Sequence, residues 1–352
     1  MSIRAYLFII TLLSTVIAGA KNVRYYEAGD SIEYDTIPYM IRDEVFEESF
    51  KEMTAMFDGK EQYSLKRAEF LVENAFFSGR MDYRDFCHDI DSVVAVLNHF
   101  IDINDIRKYR TGPNFALFDY FTKSSAMNGN RKFTYDFDDP MGEKDFTIFF
   151  TSRLLRTHKG QCTSMPLLYK ILCDELGGEC ALAFGPMHMY IKHIGEDGRW
   201  YNVELTHGGF SRDIWYMETM NISTEAIRNG IFLCALSEKE NIGFMLMQLA
   251  RAYHHKYKSY DYFVSRCIET VLTDLPNFCD ALVMKFILLQ DQGFRFQDKY
   301  GHIKTPYITA HYNSFKGVMD KLDHLGYSQP TDEELKAKME EGIRYTQEHN
   351  HE

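Results

Sequence analysis

Apolar residues recur at helical spacing along the first third of the chain. Between Asp43 and Phe57, the positions Val45, Phe46, Phe50, Met53 and Met56 line one face, which predicts an amphipathic helix. Ser64–Phe77 and Tyr83–Phe100 repeat the pattern, separated by turns that carry Gly and Asp. Helical patterning continues to about residue 126, with Gly112-Pro113 breaking the last segment, and residues 21–40 before it read as a loop.

A polar, turn-rich connection with an extended centre follows, GNRKFTYDFDDP at 129–140. Phe146, Phe149, Phe150 and Leu154 then predict a helix over Lys144–His158, stopped by Gly160. A second helix is predicted over Thr163–Leu176. Thr163 or Ser164 is its expected cap, Pro166 fits its first turn, and Gly177-Gly178 ends it. Leu167, Leu168, Ile171, Leu172 and Cys173 form its inward face.

At residue 179 the period changes from 3.6 to two. ECALAFG (179–185), HMYIKHI (188–194) and RWYNVEL (199–205) read as three short strands, the last two joined by Gly195-Glu196-Asp197-Gly198. An antiparallel meander packed on the preceding helix is the simplest arrangement. Beyond Asn241 the helical rhythm returns. Residues 249–282 have the small-and-aromatic pattern of a helix hairpin, Pro276 preceding its second helix, and resemble one tetratricopeptide-like unit. Two more helices are predicted at Tyr307–Leu325 and Thr331–Glu348.

Composition narrows the function classes. The 352 residues allow one large domain or two modest ones. A formal charge of -12 and the lack of any long basic run argue against nucleic-acid binding, which needs clustered Lys and Arg. The 27 Phe and 23 Tyr read as core packing. The opening MSIRAYLFIITLLSTVIAGAKN reads as a secretory signal: Arg4, an apolar run from Tyr6 to Ile17, and Ala18-Gly19-Ala20 as the cleavage motif. The expected location is therefore outside the cytoplasm, periplasmic or extracellular, with membrane association only if residues 1–20 stay attached.

Seven cysteines is an odd number for an exported chain, so at least one thiol cannot pair within it. No Cys-x-x-Cys occurs and no His pair has metal-ligand spacing beside a cysteine, so neither metal nor cofactor is expected. His254, His255, His349 and His351 read as exposed helix or terminal residues.

Cys162 stands at the mouth of the helix predicted over 163–176. A helix N-terminus favours a thiolate, which is the nucleophilic form of cysteine. An imidazole would activate it and a third group would orient the imidazole. His188 opens the second strand and Glu204 closes the third, so the antiparallel pair can bring them opposite one another. His193 and His207 are competing bases, although His193, five residues along, points to the other face. Candidate oxyanion donors are the Cys162 N–H, the Gln161 side chain, Tyr135 and the Trp200 indole.

Gly160-Gln161-Cys162, His188, and Trp200 through Thr206 resemble the motifs of the transglutaminase-like superfamily, cysteine enzymes with a papain-like core. YDFDDP, RLLRTHKG, GPMH and THGG resemble more narrowly its SirB-like bacterial branch, whose members often carry trailing tetratricopeptide-like helices. The resemblance spans about residues 130–210. It implies Cys162 as nucleophile, His188 as general base and Glu204 as orienting acid, with Glu in place of the usual Asp. It further implies an α+β fold: a helical segment at 21–129, a transglutaminase-like core at 130–240 and a tetratricopeptide-like segment at 241–352. The function implied is that of a thiol enzyme acting on amide or peptide bonds of a peptide or protein substrate, hydrolysis being favoured over transfer to an amine. The other reading is a non-catalytic scaffold that binds a peptide or protein partner on its C-terminal helices.

Overall fold

The first three helices begin where an acidic or hydroxyl side chain can accept their unpaired N–H groups. Asp43 caps α1 (Glu44–Phe57), Ser64 caps α2 (Leu65–Phe76) and Asp82 caps α3 (Tyr83–Ile103). Gly112-Pro113 opens α4 (Gly112–Thr122), where proline at the first turn forfeits no hydrogen bond. These elements belong to a computed structural model that describes residues 24–25, 41–328 and 331. The predicted leader, nearly all of the 21–40 loop, all but the first residue of the predicted 331–348 helix and the terminal histidines lie outside them.

The single helix predicted over Lys144–His158 is divided. Phe146–Phe149 forms one turn of 3-10 helix, Phe150 is extended, and α5 (Thr151–Thr157) starts afresh. Glu69 and Glu73 of α2 impose the break. Glu69 accepts the Thr151 N–H at 3.0 Å, and Glu73 accepts the Ser152 N–H and the Thr151 hydroxyl, both at 3.0 Å. These carboxyls occupy the place that the carbonyls of residues 147 and 148 would fill in a continuous helix. His158, in the left-handed conformation at φ 58°, ends α5, so Gly160 is not the stop signal.

Two short parallel strands, β2 (Thr134–Tyr135) and β3 (Lys159–Gly160), join the polar connection to the approach to Cys162. Then come α6 (Ser164–Glu175) and a four-stranded antiparallel meander: β4 (Cys180–Gly185), β5 (His188–Ile194), β6 (Trp200–Glu204) and β7 (Gly209–Ser211). Three strands match the predicted ones, and β7 is additional. One face of the sheet presents Leu182, Ile191 and Val203 to α6 and the N-terminal helices. The other presents Ala183 and Tyr190 to α7 (Asp213–Thr219), α8 (Thr224–Arg228), α11 (Cys279–Tyr300) and α12 (Pro306–His324). The fold is thus α+β and mostly helical. A further short strand, β8 (Ile303–Lys304), pairs in parallel with β1 (Arg24–Tyr25).

The remaining helices are α9 (Glu238–Tyr257) and α10 (Tyr262–Asp274). Ile242, Phe244, Met245, Leu246, Met247, Leu249 and Ala250 of α9 are all buried, so this helix is wrapped on nearly every side. It lies against α1 and α2 as well as α10. The Tyr253 ring meets Phe46 of α1 edge-on at 5.2 Å and stacks on Phe263 of α10 at 4.5 Å. One apolar cluster consequently runs from Phe46 through the meander to Leu288.

Candidate active site

The path into Cys162 is held on several sides. Gly160 leaves no room for a side chain, since a Cβ there would lie 2.7 Å from Leu154 Cδ1 and 2.8 Å from Ser164 Oγ. Gln161 is fully buried. Its N–H donates to Ser164 Oγ at 2.9 Å, and its Nε2 donates to the carbonyls of Asp136 (2.7 Å) and Asp139 (3.4 Å). Ser164 Oγ in turn donates to the Ile148 carbonyl at 2.9 Å. Neither predicted cap therefore caps α6: Ser164 reaches back to Gln161, and Thr163 makes no side-chain capping bond. Cys162 sits half-buried just before the helix, its thiol 4.0 Å from the Met187 carbonyl at the β4–β5 turn.

His188 and Glu204 meet on the sheet. His188 Nε2 donates to Glu204 Oε2 at 2.6 Å, and both side chains are shielded, at 13% and 1% exposure. They are not directly opposite. Ile191 pairs with Val203, and carrying that register one residue further sets Glu204 level with Tyr190. His188 lies a same-face step beyond, a diagonal separation of ~7–8 Å between backbones that favours the longer arm of Glu over Asp. Tyr216 of α7 also donates to Glu204 Oε2, at 3.0 Å, while Thr206 gives its N–H (3.0 Å) and hydroxyl (2.7 Å) to Oε1. A buried carboxylate with four donors is one held ionised.

The electrostatics follow. Burial alone would push the His188 pKa down, but the Glu204 charge and hydrogen bonds with Cys162 and Glu204 raise it to about 10. Burial would push Glu204 up, yet the His188 charge and the bonds from His188 and Thr206 lower it to about 2. With Nε2 engaged by Glu204, Nδ1 is the nitrogen left for the thiol. The three predicted residues are thereby brought together as thiol, imidazole and carboxylate.

The competing bases stand elsewhere. His193 is on the opposite face, packed against Phe210 at 5.3 Å, and burial pushes its pKa down to about 4. His207 packs edge-on against Trp215 and reaches Ser211 at 3.4 Å, whereas Glu204 engages His188. His254 and His255 are not exposed as predicted. They are part-buried, stacked on Tyr260 (3.8 Å) and Phe146 (4.6 Å), and border a cavity of about 440 Å³ with Arg251 and Lys258.

Two proposed oxyanion donors drop out. The Gln161 Nε2 is committed to backbone carbonyls, and Trp200 is at the far end of β6, paired with Ile194 and 46% exposed. All seven cysteines are free thiols, and burial pushes those of Cys180, Cys267 and Cys279 up. Tyr216 was not foreseen, because α7 follows a Gly-Gly loop and nothing local to it marks contact with Glu204. Its ring stacks on Tyr190 at 4.2 Å, which fixes the hydroxyl over the carboxylate.

Among the described residues no group of three or more His, Cys, Asp or Glu is arranged to hold a metal ion, and no helix is long and apolar enough to cross a membrane. Compared with protein-family models, with curated proteins and with solved structures, the chain finds no match.

Proposed function

We propose that this protein is a thiol enzyme of transglutaminase-like type, acting on amide or peptide bonds through an acyl-thioenzyme. The observation that carries the reading is the shielded His188–Glu204 pair at 2.6 Å, whose imidazole pKa is raised by Glu204 and by the thiol at the mouth of α6. A surface histidine needs no such partner, and a core histidine is usually kept neutral by burial. Here the imidazole is instead held cationic by the Glu204 carboxylate.

In the reaction, Cys162 sulfur attacks the carbonyl carbon and the C=O electron pair moves to oxygen. Collapse breaks the C–N bond, and His188 gives its proton to the leaving amine. Neutral His188 then takes a proton from the second nucleophile as it attacks the thioester, and collapse breaks the C–S bond, which releases the acyl product and returns the Cys162 sulfur beside protonated His188. Cys162 is only half-buried, so water has access and hydrolysis is the default over amine transfer. The motifs around Cys162, His188 and Thr206 support the transglutaminase-like assignment of residues 130–240. The succession α9–α10–α11–α12, each packed on the next, supports a tetratricopeptide-like reading of 241–352. Export rests on the leader sequence alone.

Alkylation tests the dyad without a known substrate. Iodoacetamide should modify Cys162 at pH 6–7 faster than any other thiol of the chain, as read by peptide mass mapping. His188→Ala should slow that modification by roughly 10²-fold, the scale of a lost acid–base partner. A rate indifferent to His188 would instead favour a non-catalytic scaffold whose helices bind a protein or peptide partner.

A further inference from the structure

A thioacyl intermediate needs a second donor for its oxyanion, beside the Cys162 N–H. That N–H makes no hydrogen bond among the described residues. Of the candidate side chains, Gln161 is committed to backbone carbonyls and Trp200 is remote. Tyr135 remains, and several features single it out.

β2 pairs with β3 in the register Tyr135↔Gly160, which sets Tyr135 beside the residue two positions before Cys162. The ladder is closed on both sides, by Thr134 N–H to the His158 carbonyl (2.9 Å) and Asp136 N–H to the Gly160 carbonyl (2.8 Å). Gln161 then locks the next carbonyl, that of Asp136. Strand alternation turns Tyr135 away from Asp136, which is buried against Arg153 at 3.5 Å. The Tyr135 ring rests on Phe137 at 4.8 Å. Its hydroxyl has no hydrogen-bond partner among the described residues, yet it feels the charges of both Cys162 and Glu204. Burial and those charges raise its pKa, so the hydroxyl keeps its proton and can only gain by donating it to a new acceptor.

We propose that the Tyr135 hydroxyl is the side-chain donor of the oxyanion hole, a role that rests on the acyl-transfer reading of Cys162. As the Cys162 C–S bond forms, the electron pair of the C=O bond moves onto oxygen, and the Tyr135 O–H and the Cys162 N–H both donate to it. When the C=O bond re-forms the leaving group departs with its bonding pair, and both donors are released unchanged. Tyr135 transfers no proton.

Two reactions of the same sulfur separate this role from a structural one. Acylation by p-nitrophenyl acetate passes through a tetrahedral oxyanion, whereas alkylation by iodoacetamide displaces iodide at a saturated carbon and forms none. On the full chain, Tyr135→Phe should slow the Cys162-dependent burst of p-nitrophenolate by ~10²-fold and leave the alkylation rate unchanged. Circular dichroism would verify that the variant is folded. An unchanged burst overturns the assignment, and so does a parallel fall in both rates, which would make Tyr135 a support for Cys162. If the wild-type protein alkylates quickly at Cys162 but shows no burst, the acyl-transfer reading itself fails and takes the assignment with it.

Discussion

Glu204 has every lone-pair direction that matters occupied, and that makes the His188 pair sensitive to pH in a defined way. His188 rises from an ordinary 6.5 to about 10, so its stabilisation is complete below pH 6.5 and is lost as pH climbs through 10. Glu204 falls from 4.5 to about 2, so its stabilisation is complete above pH 4.5 and is lost as pH drops through 2. The pair is therefore most stabilising between about pH 4.5 and 6.5. Glu204→Gln should lower Tm most within that window, with the gap to wild type closing toward both extremes. A gap that is flat with pH would mean the pair is not ionised. Removing one member of a buried pair typically costs about 3–5 kcal/mol on this scale, and the amide should lose the lower end of it. Cys162, His188 and Glu204 were legible in the chain because each sits at an element boundary: a helix start, a strand start, a strand end. Tyr216 was not, since its contact depends on how α7 folds over the sheet.

Secondary structure followed periodicity wherever the periodicity was long. α1, α2, α3, α6 and the three main strands agree with the hydrophobic pattern to within a few residues. The pattern misled at Lys144–His158, where the apolar spacing is helical but two carboxyls from a distant helix interrupt it. Burial, and after it the Glu73 charge, hold the Glu69 pKa well up, so Glu69 keeps its proton and can share it with Glu73. Long-range capping of this kind has no local signature. Glu73→Ala removes the acceptor of the Ser152 N–H and the Thr151 hydroxyl and should cost roughly 2 kcal/mol, read as a lower urea midpoint with unchanged slope. No shift of the midpoint would mean that α5 starts at Thr151 for other reasons. β2 lies in the extended centre read at 129–140, whereas β3 and β7 escaped notice because two or three residues carry too few alternations to be read.

One apolar cluster crosses the boundary expected near residue 241. Residues 241 onward resemble an appended repeat, yet α9 fills the space between α1, α2 and α10 and shares their apolar cluster. Tyr253, Phe46 and Phe263 form one aromatic knot drawn from three segments. Ion pairs cross the same seam, Lys256 with Asp43 at 3.2 Å and Arg266 with Glu47 at 3.0 Å. A chain ending at Leu236 should thus fail to fold natively: it should keep far-UV helical signal, lose near-UV signal and bind ANS. A sharp, cooperative melt of that fragment would show that α9 is dispensable to the core. Such segment sharing is invisible to pattern reading, because an all-round apolar helix reports burial without reporting by what.

The position of α9 also sets a timetable for synthesis. Phe46 and Tyr253 are partners separated by some two hundred residues, and a ribosome adds about 5–20 residues each second. The first two helices must then wait on the order of 10–40 s for the helix that covers them. During that interval their inward faces are bare, and the chain is an adhesive nascent polypeptide in need of a holdase long before it is a folded protein.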